Sequence, residues 1–223
     1  MTFSLVARCA QTGQLGMVIS SSSPAVAARC AHVRARVGVV ATQNVTDPAL
    51  GPLILDQISN GLGAGAALAK IIEGRANVEY RQLLIVDAMG SVAVHSGRQV
   101  LGVWGEALGF DCAAGGNLLA GVHVPSAMVA GFEQSSCPFA DRLMQALQAG
   151  LEAGGEAGPV HSAGLKIADK LSWPLVDLRV DWSDDPIAEL VKLWTLYKPQ
   201  MMAYVQRALD PTQAPSYGVP GDR

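Results

Sequence analysis

Thr2 is the residue whose type and position offer the clearest chemistry. Threonine is small, so a methionine before it is normally removed, and the shortened chain begins with a hydroxyl and a free α-amine on one residue. An α-amine has an unperturbed pKa of about 8 and can act as a general base at neutral pH. A threonine hydroxyl activated by its own amine is a known type of nucleophile. Thr2 is therefore a candidate nucleophile, and the alternative is that Met-Thr is an ordinary chain start.

Motifs for other chemistries are missing from the sequence. It contains no GxxxxGK[ST] phosphate loop, no GxSxG elbow and no HExxH zinc motif. The Gly-rich stretch at residues 115–117 lacks the strand–turn–helix context of a dinucleotide site. The histidines are too far apart in the sequence for metal-ligand spacing: His32, His95, His123 and His161. We therefore expect no metal and no cofactor.

Composition narrows the classes of partner. The 223 residues carry a net charge of −3 without a basic cluster, so nucleic-acid binding has little support. No apolar run reaches the roughly 20 residues of a membrane span, and no signal peptide is visible. The four scattered cysteines are typical of reduced thiols. We expect a cytoplasmic protein that acts on a small molecule.

The balance of apolar and charged residues predicts assembly. Half of the residues are apolar and only 16% are charged, so more surface is available for burial than one domain needs. We therefore expect a homo-oligomer. The last predicted helix offers apolar area to a partner through Trp194, Leu196, Tyr197, Met201 and Met202. The alternative is that these side chains pack on the chain's own sheet.

The elements that must position Thr2 begin with a hairpin. Residues 2–9 alternate between apolar and polar faces, and residues 15–22 form the second strand. Residues 33–43 alternate and then become continuously apolar, which predicts one strand that enters a buried sheet. Two helices follow between residues 48 and 73.

Later segments continue this order of strands and paired helices. The patterns predict two strands within residues 80–97, an extended Gly-rich segment at 101–121, helices at 126–132 and 138–151, strands at 161–168 and 176–181, and a final helix at 187–208. Helices inserted in pairs do not suit a doubly wound parallel sheet. The order predicts an α+β fold of two antiparallel sheets stacked face to face with helices outside. We expect one domain over residues 1–210 and an exposed tail over 211–223.

Segments along nearly the whole chain resemble the N-terminal nucleophile (Ntn) hydrolase superfamily of the proteasome β-subunits, and within it a bacterial family of uncharacterised function. The resembling segments are TFSLVAR, TGQLG, VRARVGVVATQN, GPLILDQISNGLGAGAAL, QLLIVDAMGSVAVHSG, GGNLLAG, HSAGLKI and VDLRVDWSDDPIAEL. The resemblance implies a four-layer αββα sandwich whose first strand begins with the nucleophile.

The resemblance also implies roles for the residues around that strand. Thr2 would be the nucleophile, and Arg34 in the third strand would lower the pKa of its amine or hydroxyl. Backbone N–H groups at Thr42, Gln43 and Asn44 would stabilise a developing oxyanion. The side chains of Gln43 and Asn44 would also bind polar groups of a substrate. For Arg34 the alternative is an ordinary salt bridge.

A Gly-rich turn and a serine cluster complete the implied site. Gly116 and Asn117 would face the cleft with a backbone group and an amide side chain, and the alternative for Asn117 is a structural turn residue. Ser20 begins a serine cluster, residues 20–23, at a strand end that can line a pocket. Serine clusters at strand ends also occur without any function.

Two positions depart from the pattern that we expect of the family. His161 stands in place of a glutamine before Ser-Ala, as a substrate contact or an acid/base, or else as a partly buried structural histidine. Arg36 stands where a glycine is expected and, two residues from Arg34, shares a strand face with it. Two guanidinium groups so placed can hold a substrate carboxylate bidentately.

These observations and the resemblance predict a cytoplasmic hydrolase that acts on a C–N bond of a small anionic metabolite. The bond is an amide, or the imine or enamine of a deaminating hydrolysis, attacked by Thr2 or by a water activated in the same cleft. Two alternatives stay open. One is a different centre on the same scaffold, built from Arg34, Arg36, Gln43, Asn117 and His161, and the other is a non-catalytic ligand-binding or assembly protein. A retained Met1 would exclude the Thr2 amine as a base.

Overall fold

The computed structural model describes residues 1–220, which form two antiparallel sheets and seven α-helices. The strands are β1 (Thr2–Arg8), β2 (Leu15–Ser21), β3 (Ala31–Arg34), β4 (Gly38–Asn44), β5 (Arg81–Asp87), β6 (Val92–Ser96), β7 (Gly105–Gly109), β8 (Cys112–Asn117), β9 (Ser162–Ala168) and β10 (Val176–Val180). The helices are α1 (Val26–Cys30), α2 (Leu50–Ser59), α3 (Ala64–Ile72), α4 (Val124–Glu133), α5 (Phe139–Glu152), α6 (Pro186–Tyr197) and α7 (Met201–Leu209).

The strand order places β1 at the centre of the larger sheet. Six strands run in the order β10-β9-β2-β1-β8-β7, and four run in the order β3-β4-β5-β6. Every pairing is antiparallel, as the element order predicts. Strand β1 is buried from Thr2 to Ala7 because both of its edges are paired and both of its faces are covered.

Three clusters of buried apolar side chains hold the elements together. The first packs the larger sheet, through residues such as Phe3 and Leu5, against α4, α5 and α6. The second joins the two sheets and includes Val6 and Leu84. The third packs the smaller sheet, through residues such as Val40, against α2 and α3. Burial of such side chains contributes about 1.5–3 kcal/mol each. These three clusters therefore provide most of the favourable free energy of folding.

The predicted single strand at residues 33–43 is wrong, because the chain turns within it. Strand β3 ends at Arg34, the residue Arg36 adopts a left-handed conformation with φ of 61°, and β4 begins at Gly38. The sequence VRARVGVV changes from alternating to continuously apolar without a break, so its pattern does not reveal the reversal.

The predicted final helix at residues 187–208 is also interrupted. Helix α6 ends at Tyr197 and α7 begins at Met201. Of the apolar residues expected to meet a partner, Trp194, Tyr197 and Met201 belong to or pack on the chain's own core, whereas Leu196 and Met202 are exposed. The break lets the chain turn so that α7 also packs its Val205 on that core.

The tail begins where α7 ends. Its described part contains a short 3-10 turn, Pro211–Gln213, and the guanidinium group of Arg207 lies 3.7 Å from the ring centre of Tyr217. Residues 221–223 of the predicted tail lie outside the described residues. No helix within residues 1–220 combines the length and the apolarity that a bilayer crossing requires.

Candidate active site

Thr2 lies in a cluster of buried polar side chains where the ends of several strands meet. Thr2 is 5% exposed, and its polar neighbours are fully buried: Ser4, Ser21, Gln43, Gln82 and Asn117. A polar group without a hydrogen bond is costly to bury, so such a cluster must be closely paired or must serve a ligand.

Strand register brings these residues to one face. Thr2 pairs directly with Asn117 of β8, and Phe3 pairs with Ser20 of β2. Side chains alternate along a strand, so Thr2 and Ser4 point away from Phe3 and towards the smaller sheet. The hydroxyl of Ser4 donates to Gln43 Oε1 of β4 at 2.7 Å, which ties the two sheets together at this end.

A chain of amide side chains fixes the orientation of Asn117. Gln82 Nε2 donates to the backbone carbonyl of Gly116 at 3.2 Å, so its Oε1 faces the other way. That oxygen accepts from Gln43 Nε2 at 2.8 Å and from Asn117 Nδ2 at 3.2 Å. A carbonyl oxygen can only accept, so the atoms of Gln43 and Asn117 that contact Gln82 Oε1 must be their amide nitrogens. Asn117 therefore turns its Oδ1 away from Gln82.

Asn117 Oδ1 is therefore a buried hydrogen-bond acceptor that lacks a donor in the described structure. It has no hydrogen-bond partner within the described residues 1–220, although Asn117 is fully buried. Leaving such an acceptor unpaired costs about 1–3 kcal/mol. The residue opposite it on β1 is Thr2, whose backbone nitrogen is an amide as long as Met1 is attached.

The hydroxyl of Thr2 lies among other hydroxyls and the first carbonyl of the chain. Thr2 Oγ1 and Ser21 Oγ are 3.4 Å apart, and both donate to the carbonyl oxygen of Met1. Ser21 Oγ is also 2.9 Å from Ser23 Oγ. Met1 is 40% exposed and covers Thr2, so its removal would open this end of β1 to solvent.

Glu156 is a buried carboxyl group at this site that sequence reasoning missed. It is 5% exposed, and both of its oxygens accept from the backbone N–H of Ser22, at 3.1 and 3.2 Å. Burial raises the pKa of Glu156 to about 7, against the opposing effects of the Met1 α-ammonium, the Ser22 hydrogen bonds and His161. Its only sequence signal is a lone acidic residue in the glycine-rich run AGGEAG.

A cavity of about 240 Å³ lies beside Glu156. The wall includes the loop at residues 158–160 and the start of α6 at Pro186 and Ile187. The chain reaches Glu156 through Gly154 and Gly155, whose φ values of 108° and 58° suit glycine best. The buried carboxyl group therefore borders both the serine cluster and an open volume.

His161 lies near the serine cluster through its backbone. Its N–H donates to the Ser21 carbonyl at 2.8 Å, and its ring stacks on Trp182 with the centroids 4.4 Å apart. Its Nδ1 lies 3.1 Å from the carbonyl oxygen of Ser183, which makes Nδ1 the donor. His161 is also the smallest of the named influences that lower the pKa of Glu156.

Gly116 lies against Thr2 for a steric reason. A Cβ atom at this position would be 2.9 Å from the Thr2 carbonyl oxygen and 2.6 Å from a Leu119 methyl group. Gly116 also supplies the carbonyl that orients Gln82. Gly116 and Asn117, both named from the sequence, thus lie beside the first two residues of β1.

Two predicted residues, Ser20 and Thr42, point away from Thr2. The Ser20 hydroxyl donates to the Ser162 carbonyl at 3.0 Å, on the face that Val18 turns to the helices. The Thr42 hydroxyl donates to the Asp47 carbonyl at 3.2 Å, on the α2 side of β4. A shift of one residue changes the face of a strand, so Ser21 stands where Ser20 was expected.

Asn44 closes loops instead of facing the cluster. Its Nδ2 donates to the Tyr80 carbonyl at 2.6 Å, and its Oδ1 accepts from the Leu101 N–H at 3.2 Å. Asn44 has φ of 71°, so β4 ends there with a change of direction. Both ends of its amide are thus used within the protein.

The structure separates the two predicted arginines from Thr2. Arg34 pairs with Gly38, five residues from Gln43 along β4, which is about 17 Å. Its guanidinium group forms a salt bridge with Asp56 at 2.8 Å, which is the alternative that the sequence left open. Arg36 lies in the β3–β4 turn, so the two do not share a strand face. The reversal at residues 35–37 is the physical reason.

Metal chemistry finds no support in this geometry. Within residues 1–220, no group of three or more His, Cys, Asp or Glu side chains is arranged to hold an ion. The donors around Thr2 are hydroxyls and amides, which suit proton transfer and hydrogen bonding. The arrangement can position a small polar substrate, orient an amine and donate to a carbonyl oxygen.

Comparisons with known proteins agree with this fold. The chain aligns over 92% of its length with protein SPO2555 from Silicibacter pomeroyi, at 26% identity, 90% coverage of that chain and a TM-score of 0.86. Two Anbu (ancestral beta-subunit) structures are far less similar. The Yersinia bercovieri protein has 10% identity and a TM-score of 0.40, with 91% of this chain and 97% of that one covered. The Gly-1 mutant from Hyphomicrobium sp. strain MC1 has 11% identity and a TM-score of 0.41, with the same coverages.

Among curated proteins, none matches this sequence. The solved SPO2555 structure is itself described by the family model DUF1028. The same model matches residues 2–190 here, a span that begins at Thr2 and contains both sheets. The chain therefore belongs to DUF1028, a family of unknown function.

Proposed function

We propose that the protein is a hydrolase of C–N bonds in small molecules and that Thr2 is its nucleophile once Met1 has been removed. The observation that carries this proposal is the unpaired, fully buried Asn117 Oδ1 opposite Thr2. A free α-amine on Thr2 would be the donor that this acceptor lacks. It would also supply the base that a threonine hydroxyl needs.

The reaction follows from the groups around Thr2. The α-amine takes the proton of the Thr2 hydroxyl while Oγ attacks the carbonyl carbon of an amide, and the carbonyl oxygen becomes an oxyanion. The C–N bond then breaks, and the leaving nitrogen takes the proton from the α-ammonium. Water, activated by the same amine, hydrolyses the resulting ester. The α-amine therefore acts as base and then as acid, and every proton that it accepts is passed on to a leaving group.

Two neighbours assist these steps. Ser21 Oγ donates to the Met1 carbonyl, so we assign it as a donor to the developing oxyanion. Loss of one such donor costs about 10²–10³-fold in rate. Asn117 is a positioning residue, because its Oδ1 accepts an amine N–H and so directs the amine lone pair to the hydroxyl. An amide is the proposed target because the one carbonyl seen at these hydroxyls belongs to an amide.

The experiment begins with mass spectrometry of the intact protein from its native host. We expect a chain that begins at Thr2. Thr2→Ala, which also permits removal of Met1, should abolish turnover of amide substrates, and Thr2→Ser should retain part of it. Intact Met1 in an active preparation, or full activity of Thr2→Ala, would refute the mechanism. Binding of metabolites without any turnover would support a non-catalytic role instead.

The arginines of the alternative catalytic centre lie apart from its amide side chains. Arg34 and Arg36 lie at the far end of β4, and the amides of Gln43 and Asn117 are held in the hydrogen-bonded chain. The two arginines that were expected to bind an anionic substrate are therefore distant from Thr2. The deaminating variant of the reaction would use the same donors at an imine carbon.

We also propose that the elements form the four-layer αββα sandwich of the Ntn superfamily. The three apolar clusters support this arrangement, since they follow one another from α4–α6 through the two sheets to α2 and α3. In this proposal residues 1–210 are one domain and residues 211–223 are an appended tail. An experimental structure of the trimmed protein is the test.

The protein is further proposed to be a cytoplasmic homo-oligomer. Apolar side chains are exposed on and beside β7, the edge strand of the larger sheet: Leu101, Val103, Trp104, Leu108, Phe110 and Val122. Exposed apolar patches of this kind commonly mark interaction sites. A second copy is the proposed occupant, and monomeric elution in size-exclusion chromatography with light scattering would refute it.

A further inference from the structure

We propose that the substrate carries a positively charged ammonium group on its acyl side and that Glu156 binds this group. The inference rests on the proposed function of Thr2 and replaces the anionic substrate that the sequence suggested. The chemical class is an amide of an amino acid whose own amino group is free. Glu156 takes no part in the bond-cleaving steps proposed above.

Met1 shows which space its removal would open. Its carbonyl oxygen accepts from Thr2 Oγ1 and Ser21 Oγ, the two groups assigned to attack and to oxyanion binding. Ser21 is followed by Ser22, whose N–H binds Glu156, so the carboxyl group lies beside the segment that holds the Met1 carbonyl. Met1 is thus an acyl group with an α-ammonium, and a substrate that fills the same space would present the same groups.

The surroundings of Glu156 leave it capacity for such a ligand. A carboxylate has four lone-pair positions, and in the described structure the donors to this one come from Ser22 alone, through its N–H and its side chain. The guanidinium group of Arg29 does not fill the need, because it donates to Ser23 Oγ and to the carbonyls of Pro24 and Ala25. A cation brought by the ligand would complete the site.

The cavity beside Glu156 gives the acyl side chain a place to lie. Its volume of about 240 Å³ accommodates a small side chain, and its lining includes the apolar residues Leu151, Val160 and Ile187 as well as the acidic residues Asp184 and Asp185. An amino acid with an apolar side chain therefore matches both the buried charge and the apolar wall. A dicarboxylate would bring a second negative charge next to Glu156 and would be repelled.

The first test compares three chromogenic amides with the trimmed wild-type enzyme. The compounds are methionine p-nitroanilide, its N-acetyl derivative and succinyl p-nitroanilide, which carries a carboxylate. We expect the free ammonium compound to have a kcat/KM at least about 100-fold above the others, the typical effect of removing one partner of a buried charge pair. Equal rates, or a preference for the acetylated or acidic compound, would overturn the inference.

The second test removes the charge of Glu156. Glu156→Gln keeps the size and an acceptor for Ser22, and it should raise KM for methionine p-nitroanilide with little effect on the N-acetyl compound. Glu152→Gln is the matched control, since Glu152 is an exposed carboxyl group at the end of α5. An equal loss for both substrates in Glu156→Gln would contradict a role in ammonium binding.

A binding measurement separates this inference from the proposed function. Calorimetry with the trimmed Thr2→Ala protein should show that methioninamide binds at least about 10-fold more tightly than N-acetylmethioninamide. This result needs no turnover. If Thr2→Ala stays active, the proposed nucleophile is wrong while the calorimetry still decides the role of Glu156. Absence of binding, or equal binding of the two amides, would refute the ammonium site.

Discussion

Asp87 and Glu156 are two buried carboxyl groups with nearly the same exposure, 4% and 5%, and different surroundings. Asp87 accepts three backbone N–H bonds: Oδ1 binds Met89 and Ser91 at 2.9 and 3.0 Å, and Oδ2 binds Ala64 at 3.0 Å. Glu156 accepts from Ser22 alone. A carboxylate saturated with donors holds a turn in place, whereas one with spare acceptor capacity can serve a ligand.

The position of each carboxyl group fits this difference. Asp87 ends β5 and joins the β5–β6 turn to the start of α3, both parts of the permanent fold. Glu156 borders a cavity and the chain's first residue. Charge-assisted hydrogen bonds to backbone N–H groups are strong, so three of them offset the cost of burying Asp87. The hydrogen bonds from Ser22 do not offset that cost for Glu156, and its pKa rises to about 7.

The largest effect is expected at the saturated group. Asp87→Ala leaves three N–H groups without their acceptor, so we expect the free energy of unfolding to fall by about 4 kcal/mol. Asp87→Asn keeps one oxygen for the β5–β6 turn and should lose less than half as much. Urea denaturation measures both. A loss below about 1 kcal/mol for Asp87→Ala would contradict its structural role.

The next effect is a pH dependence at the unsaturated group. Burial raises the pKa of Glu156 from 4.5 to about 7, so the folded state binds a proton that the unfolded state has released. Stability from this group is therefore present below about pH 4.5 and is lost as the pH rises to about 7, by about 3 kcal/mol. Glu156→Gln should remove this loss, so that the variant becomes the more stable protein near pH 8. Parallel stability curves for the two proteins would contradict the raised pKa.

A smaller difference is expected between the glycines that shape the two turns. At Gly90, with φ of 88°, a Cβ atom would lie 1.8 Å from Asp111 Oδ1, whereas at Gly155, with φ of 58°, it would lie 3.3 Å from the Phe3 ring. Gly90→Ala should therefore cost about 2–3 kcal/mol and Gly155→Ala about 1 kcal/mol. Thermal unfolding of the two variants is the measurement, and the reverse order would show that the Glu156 turn is the stiffer one.

The smallest effect concerns the neighbour of Glu156. His161 lowers the pKa of that carboxyl group as the weakest of the named influences. His161→Phe keeps a ring for stacking on Trp182 and removes the charge, so the Glu156 pKa should rise slightly. The titration of Glu156 followed by carbon-13 NMR tests this change. A downward shift would mean that the histidine acts on the site in another way.

Local pattern predicted much of the architecture. The alternation of residues 2–9 and the turn TGQLG correspond to β1 and β2, and the turn at Met89 and Gly90 joins β5 to β6. These features depend on nearest neighbours in the chain, which is why they are readable. The β3–β4 reversal was missed because it turns on Arg36 in a left-handed conformation, which arginine rarely signals.

The residues of the candidate site also divide into those that were predicted from the sequence and those that were not. Thr2, Gln43, Gly116 and Asn117 were named from the sequence and the structure brings them together. The prediction named Ser20, but the serine beside Thr2 is Ser21, because a shift of one residue changes the face of a strand. Gln82 and Glu156 were not named as site residues: Gln82 begins a segment that was read only as a strand, and Glu156 lies in a glycine-rich loop. Their roles exist only where β5 and the loop after α5 meet the first strand.

The sequence by itself determined most of the strands and helices, the antiparallel pairing and the threonine that follows Met1, because periodicity and residue type are local properties. Only the tertiary structure decided which charges accompany that threonine. It places Arg34 about 17 Å from Gln43 along the smaller sheet, puts Arg36 in the adjacent turn, and brings Glu156 to Ser22 from a distant loop. Electrostatics depends on distance and burial, and neither is written in the spacing of residues along a chain.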